Sequence, residues 1–428
     1  MPVVGKFMGA QMMSEKNTHP VLLWMIGLGL FVPLFFRLDG SIYADVKILA
    51  ESLGVISQLP LPISIVACFA ALLLLVRGVL TARAGLLLIA GTLACGILSI
   101  FIGGDGVIGP QRKLMMLAQV SMPMAGLLLG ELVRDGDKVL ARAFLLVLCV
   151  IVPMQLLFTL TQEKEMLTHY FHIFSIYSHI QFVTLIFVCA FVYAATSLWD
   201  EYKALICVLA MLMFFYVSRS YSFLTIAAYA IAVLVFAADK LRRFHVNRMS
   251  VIGVAILVLA VVLVGTAVKL KSHGQSQLFL GKFTDIVNGK IPPNVQERFD
   301  DWKLFGNGIV ESGKTIVVGH AEPMPREIRS SPHNWYVEQM YTFGLVVLIP
   351  IMTLIIYTVY FCFAYRGSIS SNTWWLAGIV FYLVVIDSNF KVTLRQPYPG
   401  IFAYFMWGLL FSALLPTALR KHQVTALN

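Results

Sequence analysis

The chain has 428 residues, of which 59% are hydrophobic and only 13% are charged. Soluble globular domains carry about 25% charged residues, so this composition excludes a soluble enzyme and predicts an all-α polytopic membrane protein. The formal net charge is +10. The basic residues lie largely in short loops and tails, where they set the orientation of membrane helices, and we therefore expect no nucleic-acid partner.

Apolar stretches long enough to cross a bilayer as a helix, about 20 residues each, follow one another along the chain. They lack the alternation of polar and apolar residues that is typical of an outer-membrane barrel. We predict about twelve transmembrane helices, near residues 20–37, 59–79, 84–103, 114–132, 139–160, 178–198, 203–217, 220–238, 250–269, 334–363, 374–388 and 399–419.

These spans divide the chain into three parts. Residues 1–270 hold helices 1–9, residues 271–332 form one long loop, and residues 333–428 hold helices 10–12. The first apolar stretch has no small-residue cleavage site after it and is interpreted as a span. The strongest mark of the inner side is "DKLRRFHVNR" at 239–248, which predicts that both termini are cytoplasmic and that the long loop lies outside.

The long loop is too polar to be a span and too rich in aromatic residues to be a mere linker. Long loops in compact membrane domains are usually functional covers or disordered. The aromatic residues favour an ordered lid, and "QERFDDWKLF" (296–305) predicts a short amphipathic helix within it.

A second outer loop carries three histidines, His169, His172 and His179. His169 and His172 could share a helix face, but no third ligand with suitable spacing follows. We interpret them as interfacial residues packed among aromatic rings, and we expect no metal and no cofactor. All six cysteines fall inside predicted spans, where they are small apolar packing residues.

Arg219 stands in "YVSRSYSFL" (216–224), a connection of a few residues between two strongly apolar spans. An arginine this close to the bilayer is costly and is often paired or functional. The alternative is that it reaches to lipid phosphates. The hydroxyl groups around it, including that of Ser218, favour a functional role.

The stretch "SSPHNWYVEQMYTFG" (330–344) joins the polar loop to the tenth span. Ser331 as N-cap and Pro332 at the first helical position would start a helix there. At about 100° per residue, His333 would then share one stripe with Val337, Met340 and Gly344. A histidine at a helix N-terminus stays neutral near pH 7 and could act as a general base. It could equally cap the span at the level of the lipid headgroups.

This stretch resembles the HNxxLxxxxxxG pattern of the O-antigen ligase/polymerase superfamily, with Val337 where the family has leucine. Val347 stands where a second glycine is expected. "LFGNG" (304–308) is similar to the FGxG turn of that family, and "SRSYSFL" (218–224) is similar to its outer Ser-Arg element. Arg298 stands where the family places an arginine ahead of the turn.

The resemblance implies a glycosyltransferase type C-like membrane enzyme of the bacterial inner membrane. Such an enzyme takes a glycan from undecaprenyl diphosphate without a metal and with inversion. His333 would be the base, and Arg219 and Arg298 would bind the diphosphate. Asn334, Ser218, Gly344 and Val337 would support the site, and the polyprenyl tail would lie along the face of Val337, Met340 and Gly344.

The acceptor stays open at this point. Lipid A-core would make the protein an O-antigen ligase of lipopolysaccharide synthesis, and the single large outer loop before span ten favours that interpretation. A second lipid-linked repeat unit would make it a polymerase, and a protein acceptor would make it an O-oligosaccharyltransferase. A lipid-linked oligosaccharide transporter is the rival from another class, and it predicts internal symmetry and broken helices at the bilayer midplane. Membrane lipids are expected partners in every case.

Overall fold

Every regular element in the described part of the chain is helical. The computed structural model describes residues 20–31, 63–103, 109–133, 137–162, 180–218, 222–242, 281–282, 284–325, 328 and 331–427. The α-helices, numbered in chain order, are α1 (Pro20–Gly29), α2 (Ile63–Leu74), α3 (Arg83–Gly103), α4 (Pro110–Ser121), α5 (Ala125–Leu132), α6 (Asp137–Gln162), α7 (Ile180–Ser218), α8 (Phe223–Arg242), α9 (Pro293–Ile309), α10 (Gly313–Val318), α11 (Trp335–Ala364), α12 (Ser371–Phe381), α13 (Ser388–Phe390) and α14 (Pro397–Leu427). A π-helical stretch, Tyr382–Asp387, joins α12 to α13.

Six stretches of the described residues are long and apolar enough to span a membrane: Arg83–Gly103, Lys113–Leu132, Lys138–Leu157, Phe182–Ser218, Trp335–Ala364 and Ser371–Phe390. Their outer surfaces carry large apolar side chains, such as Phe101 at 82% exposure and Leu87 at 73%. Soluble proteins rarely leave such surfaces uncovered. The architecture is therefore that of a polytopic membrane protein, while the count of twelve spans stays a prediction.

The long helix α7 is a hairpin of two legs. Tyr202 has non-helical torsions (φ −132°, ψ 37°), and the ring of Phe187 stacks on that of Tyr216 with centroids 5.6 Å apart. On one straight helix these residues would be about 43 Å apart, so the chain reverses at Tyr202. The two apolar legs correspond to the separate spans predicted at 178–198 and 203–217.

The centre of the bundle is α14. Almost every side chain from Tyr398 to Leu414 is buried, as expected of a helix that neighbours surround on all sides. Its contact with α5 is made at glycines, because a Cβ at Gly126, Gly130 or Gly408 would overlap the backbone of the other helix. Small residues allow this close approach of helices in membranes.

Two predictions about the connections have different outcomes. The helix expected at 296–305 is confirmed, since α9 spans Pro293–Ile309. The ninth span at 250–269, the histidines at 169, 172 and 179, and most of the basic stretch at 239–248 lie outside the described residues.

Candidate active site

His333 lies just before a helix rather than inside it. The N-cap of α11 is Asn334, whose side chain accepts hydrogen bonds from the backbone N–H groups of Tyr336 and Val337 at 3.0 and 3.1 Å. The prediction that Ser331 caps the helix is therefore wrong by three residues. His333 is exposed and has a left-handed backbone with φ 52°, and its N–H donates to Ser331 Oγ at 3.2 Å. The short side chain of asparagine can accept from two orphan amides at once, which explains why it takes the cap.

Helix α9 brings Arg298 to the same edge of the protein. Arg298 and Trp302 are one turn apart and share a helix face. Trp302 Nε1 donates to the carbonyl of Pro332 at 2.9 Å, directly before His333. Arg298 donates to the carbonyl of Phe390 at 3.1 Å, and the rings of Trp302 and Phe390 lie 6.2 Å apart. The structure thus brings together the segments of two predicted site residues, His333 and Arg298.

Arg298 is half-buried, and two acidic groups act on it. Burial lowers the pKa of its guanidinium, and the carboxylates of Asp387 and Asp301 oppose that shift. A half-buried guanidinium has five N–H donors, of which one is used by the carbonyl of Phe390, and it suits the binding of a phosphate oxygen.

A buried ion pair that the sequence reasoning missed stands beside Arg298. Lys391 Nζ lies 3.1 Å from Asp387 Oδ1, and both side chains are almost fully buried. The hydroxyl of Thr393 donates to the other carboxylate oxygen of Asp387, and the ammonium group of Lys391 lies 5.4 Å from the ring centroid of Phe182. Asp387 ends the π-helical stretch, a conformation that is frequent at functional sites.

Helix α13 and the turn after it are each tied to the start of α11. Asn334 Nδ2 donates to Asn389 Oδ1 at 3.2 Å, and Arg395 donates to the carboxylate of the buried Glu338. Asn389, between the two members of the ion pair, therefore holds the cap of α11, and Arg395, after the pair, holds its first turn. The signal that could have found Asp387 and Lys391 is their spacing of four within an otherwise apolar segment.

The stripe predicted below His333 does not form, for two reasons. His333 is not part of the helix, and α11 is broken at Gly344, which has φ 74° and ψ −175°. Val337 and Met340 pack against Phe305, Ile309, Met324 and Tyr341, which belong to the loop and to α11 itself. The expected polyprenyl groove along this face is therefore covered by the loop.

The loop packs directly into the break in α11. A Cβ at Gly344 would overlap the backbone of Val317 and Val318, the last residues of α10. The predicted turn "LFGNG" (304–308) is also corrected, because these residues lie inside α9. Gly308 instead packs against the ring of Tyr341, and its carbonyl lies 3.0 Å from His320 Nε2.

The remaining predicted site residues are only partly accounted for. Arg219 lies outside the described residues. Ser218, at the end of α7, donates to the carbonyl of Phe215 at 2.9 Å within its own helix. The start of α8, at Leu224, contacts the π-helical stretch, since the hydroxyl of Tyr382 donates to the carbonyl of Leu224 at 2.9 Å.

The arrangement can therefore combine an exposed imidazole with nearby positive charge at one end of the bundle. Comparison of the chain with models of known protein families and with curated proteins gives no match.

Proposed function

We propose that the protein is a membrane glycosyltransferase of the O-antigen ligase type, which moves a glycan from a polyprenyl diphosphate to a sugar hydroxyl of lipid A-core. The observation that carries the proposal is the meeting of the His333 segment with Arg298 at one end of a membrane bundle. This pairing of an exposed base with a nearby arginine, which can bind phosphate oxygens, matches the needs of transfer from a diphosphate.

The reaction divides between these two residues. His333 takes the proton of the acceptor hydroxyl, and the hydroxyl oxygen forms a bond to the anomeric carbon of the donor sugar. The bond from that carbon to the diphosphate oxygen breaks, and the electron pair leaves with the diphosphate. Arg298, joined by Arg219 in the proposal, stabilises the negative charge that develops on the leaving group. Direct displacement inverts the anomeric centre.

The ion pair of Asp387 and Lys391 serves this site as an electrostatic support. The carboxylate of Asp387 acts on Arg298 and is itself held by Lys391 at 3.1 Å. This arrangement fixes the charge around Arg298 before the donor arrives. A preorganised charge costs no rearrangement during the reaction.

The test uses the purified full chain with a polyprenyl diphosphate-linked glycan, with and without lipid A-core. We expect product only when the core is present. Product in its absence, in the form of lengthened lipid-linked glycan, would indicate a polymerase. Movement of intact donor across proteoliposomes without a new glycosidic bond would indicate a transporter.

Two variants assign the residues. His333→Ala should keep donor binding and lose transfer by about 10²–10⁴-fold, the usual contribution of a general base. Arg298→Ala should weaken binding of the lipid diphosphate, whereas Lys303→Ala, an exposed cation on the same helix, should leave it unchanged. Equal effects of the Arg298 and Lys303 variants would contradict the phosphate role.

A further inference from the structure

A cavity of about 320 Å³ lies between the two legs of α7 and α8, at the end of the bundle away from His333. Phe182 at the start of α7 is in contact with Lys391. Trp199, which lines the cavity, is 17 residues further along the same leg, or about 26 Å. That distance is close to the thickness of the hydrocarbon core of a bilayer, so the cavity opens near the opposite membrane surface.

The lining of the cavity is apolar apart from Lys240 and Thr196, and the hydroxyl of Thr196 donates to backbone carbonyls of its own helix. Phe191, Ala195, Cys207 and Ala210 are among the residues that line it. The volume lies within the range of small-molecule sites, and an apolar cavity of this kind in a membrane suits a hydrocarbon chain.

One lysine, Lys240, is among the residues that line the cavity. Lys240 Nζ lies 5.1 Å from the ring centroid of Phe236 and 5.8 Å from that of Trp199. Lysine beside tryptophan is typical of the boundary between hydrocarbon and headgroups. Among the described residues, no carboxylate forms an ion pair with Lys240.

Three basic groups near Glu201 are differently arranged. Lys138 and Arg142 each contact Glu201 at 2.8 Å, and Lys203 lies 3.9 Å from Asp200. Lys240, in contrast, lines an apolar cavity and has no carboxylate partner among the described residues, so its charge can meet an anion.

We propose that this cavity binds an anionic phospholipid, with one acyl chain between α7 and α8 and the phosphate at Lys240. The lipid belongs to the leaflet that the charge pattern assigns to the cytoplasm. A polyprenyl diphosphate donor at the His333 end has its phosphates about 26 Å away, so it cannot supply the anion at Lys240 from the same position. The proposal does not depend on the transferase function.

The test is native mass spectrometry of the detergent-purified full chain, titrated with phosphatidylglycerol or with phosphatidylcholine of identical acyl chains. We expect phosphatidylglycerol to bind more tightly. Lys240→Gln should lower its affinity about fivefold, the equivalent of ~1 kcal/mol for one lysine at an anionic membrane surface, and leave phosphatidylcholine unchanged. Lys203→Gln is the matched control and should change neither affinity.

A second variant tests the acyl-chain position. Ala210→Phe fills the cavity and should weaken both phospholipids. If this variant does not fold, Cys207 serves as a reporter in a chain whose other cysteines are alanine, because phosphatidylglycerol should then slow its reaction with a membrane-permeant maleimide. Unchanged phosphatidylglycerol affinity in Lys240→Gln, or a Cys207 rate that does not respond to the lipid, would overturn the proposal. A parallel titration with undecaprenyl phosphate gives a further outcome. If Ala210→Phe lost binding of undecaprenyl phosphate but kept binding of both phospholipids, the cavity would belong to a polyprenyl chain and the proposal would be overturned.

Discussion

The left-handed backbone of His333 gives a prediction that separates its conformation from its chemistry. With φ 52°, any residue that has a Cβ is disfavoured relative to glycine by roughly 1 kcal/mol. His333→Gly and His333→Ala both remove the imidazole, but only glycine fits the backbone without strain. We therefore expect the glycine variant to be more stable than the alanine variant by about 1 kcal/mol.

Denaturant unfolding of the purified variants in one detergent measures this difference. Lys303, exposed inside α9, supplies the matched pair, because in a helix interior glycine should be less stable than alanine by about 1 kcal/mol. The two positions should thus give differences of opposite sign. Both His333 variants should be equally poor in glycan transfer. If glycine is the less stable residue at both positions, the left-handed conformation of His333 and the argument built on it are refuted.

Three further substitutions test the packing that positions the site. Gly344→Ala would overlap the backbone of Val317 and lose a positive φ of 74°, so we expect destabilisation by about 3 kcal/mol and faster proteolysis of the loop. Glu131→Gln replaces a buried carboxylate that accepts hydrogen bonds from two backbone amides at the start of α3. We expect this change to lower the free energy of unfolding by about 1–2 kcal/mol. Lys391→Met leaves Asp387 buried without its partner and should cost about 3–5 kcal/mol. The double variant Asp387→Asn, Lys391→Met should recover part of that loss.

Hydrophobic stretches predicted the six span-like helices that the structure describes, but only one of the two breaks within them. The reversal at Tyr202 was expected, because "WDEYK" (199–203) interrupts two apolar runs with charged residues. The break at Gly344 was not expected, since Gly344 stands inside a run that reads as one continuous span. Glycine in such a run is compatible with close helix packing, and only the docking of α10 decides that it bends the chain instead.

The candidate site was also predictable only in part, because local sequence patterns do not show which distant segments pack together. His333 stands out because a polar loop meets an apolar span at that residue. Arg298 was selected only because it stands where the resembled family has an arginine ahead of its turn, and the charge pattern assigns both residues to one side. The N-cap was misassigned because Ser331 and Pro332 form a favoured helix start, whereas the side chain of Asn334 provides the stronger cap in the folded chain. Asp387 and Lys391 are far along the chain, and their burial as a pair depends on tertiary packing that local patterns do not encode.

The break at Gly344 also determines which part of the loop can move. It leaves the carbonyls of Tyr341 and Thr342 without helical partners, and the amides of His320 and Ala321 donate to them at 3.0 and 2.7 Å. Releasing the end of α10 would leave two buried carbonyls unpaired, at a cost of about 1–3 kcal/mol each.

Helix α9, in contrast, reaches the site edge through one side-chain bond from Arg298 and one from Trp302. Movement of the loop during turnover is therefore expected at α9, with the segment after α10 as the fixed end. Hydrogen exchange of the purified protein tests this expectation: the amides of His320 and Ala321 should exchange slowly with or without donor, and donor should change exchange in α9. Exchange at His320 and Ala321 as fast as in the exposed first turn of α10 would contradict it, because the carbonyls freed at Gly344 would then lack the partners that make the loop and the span one unit.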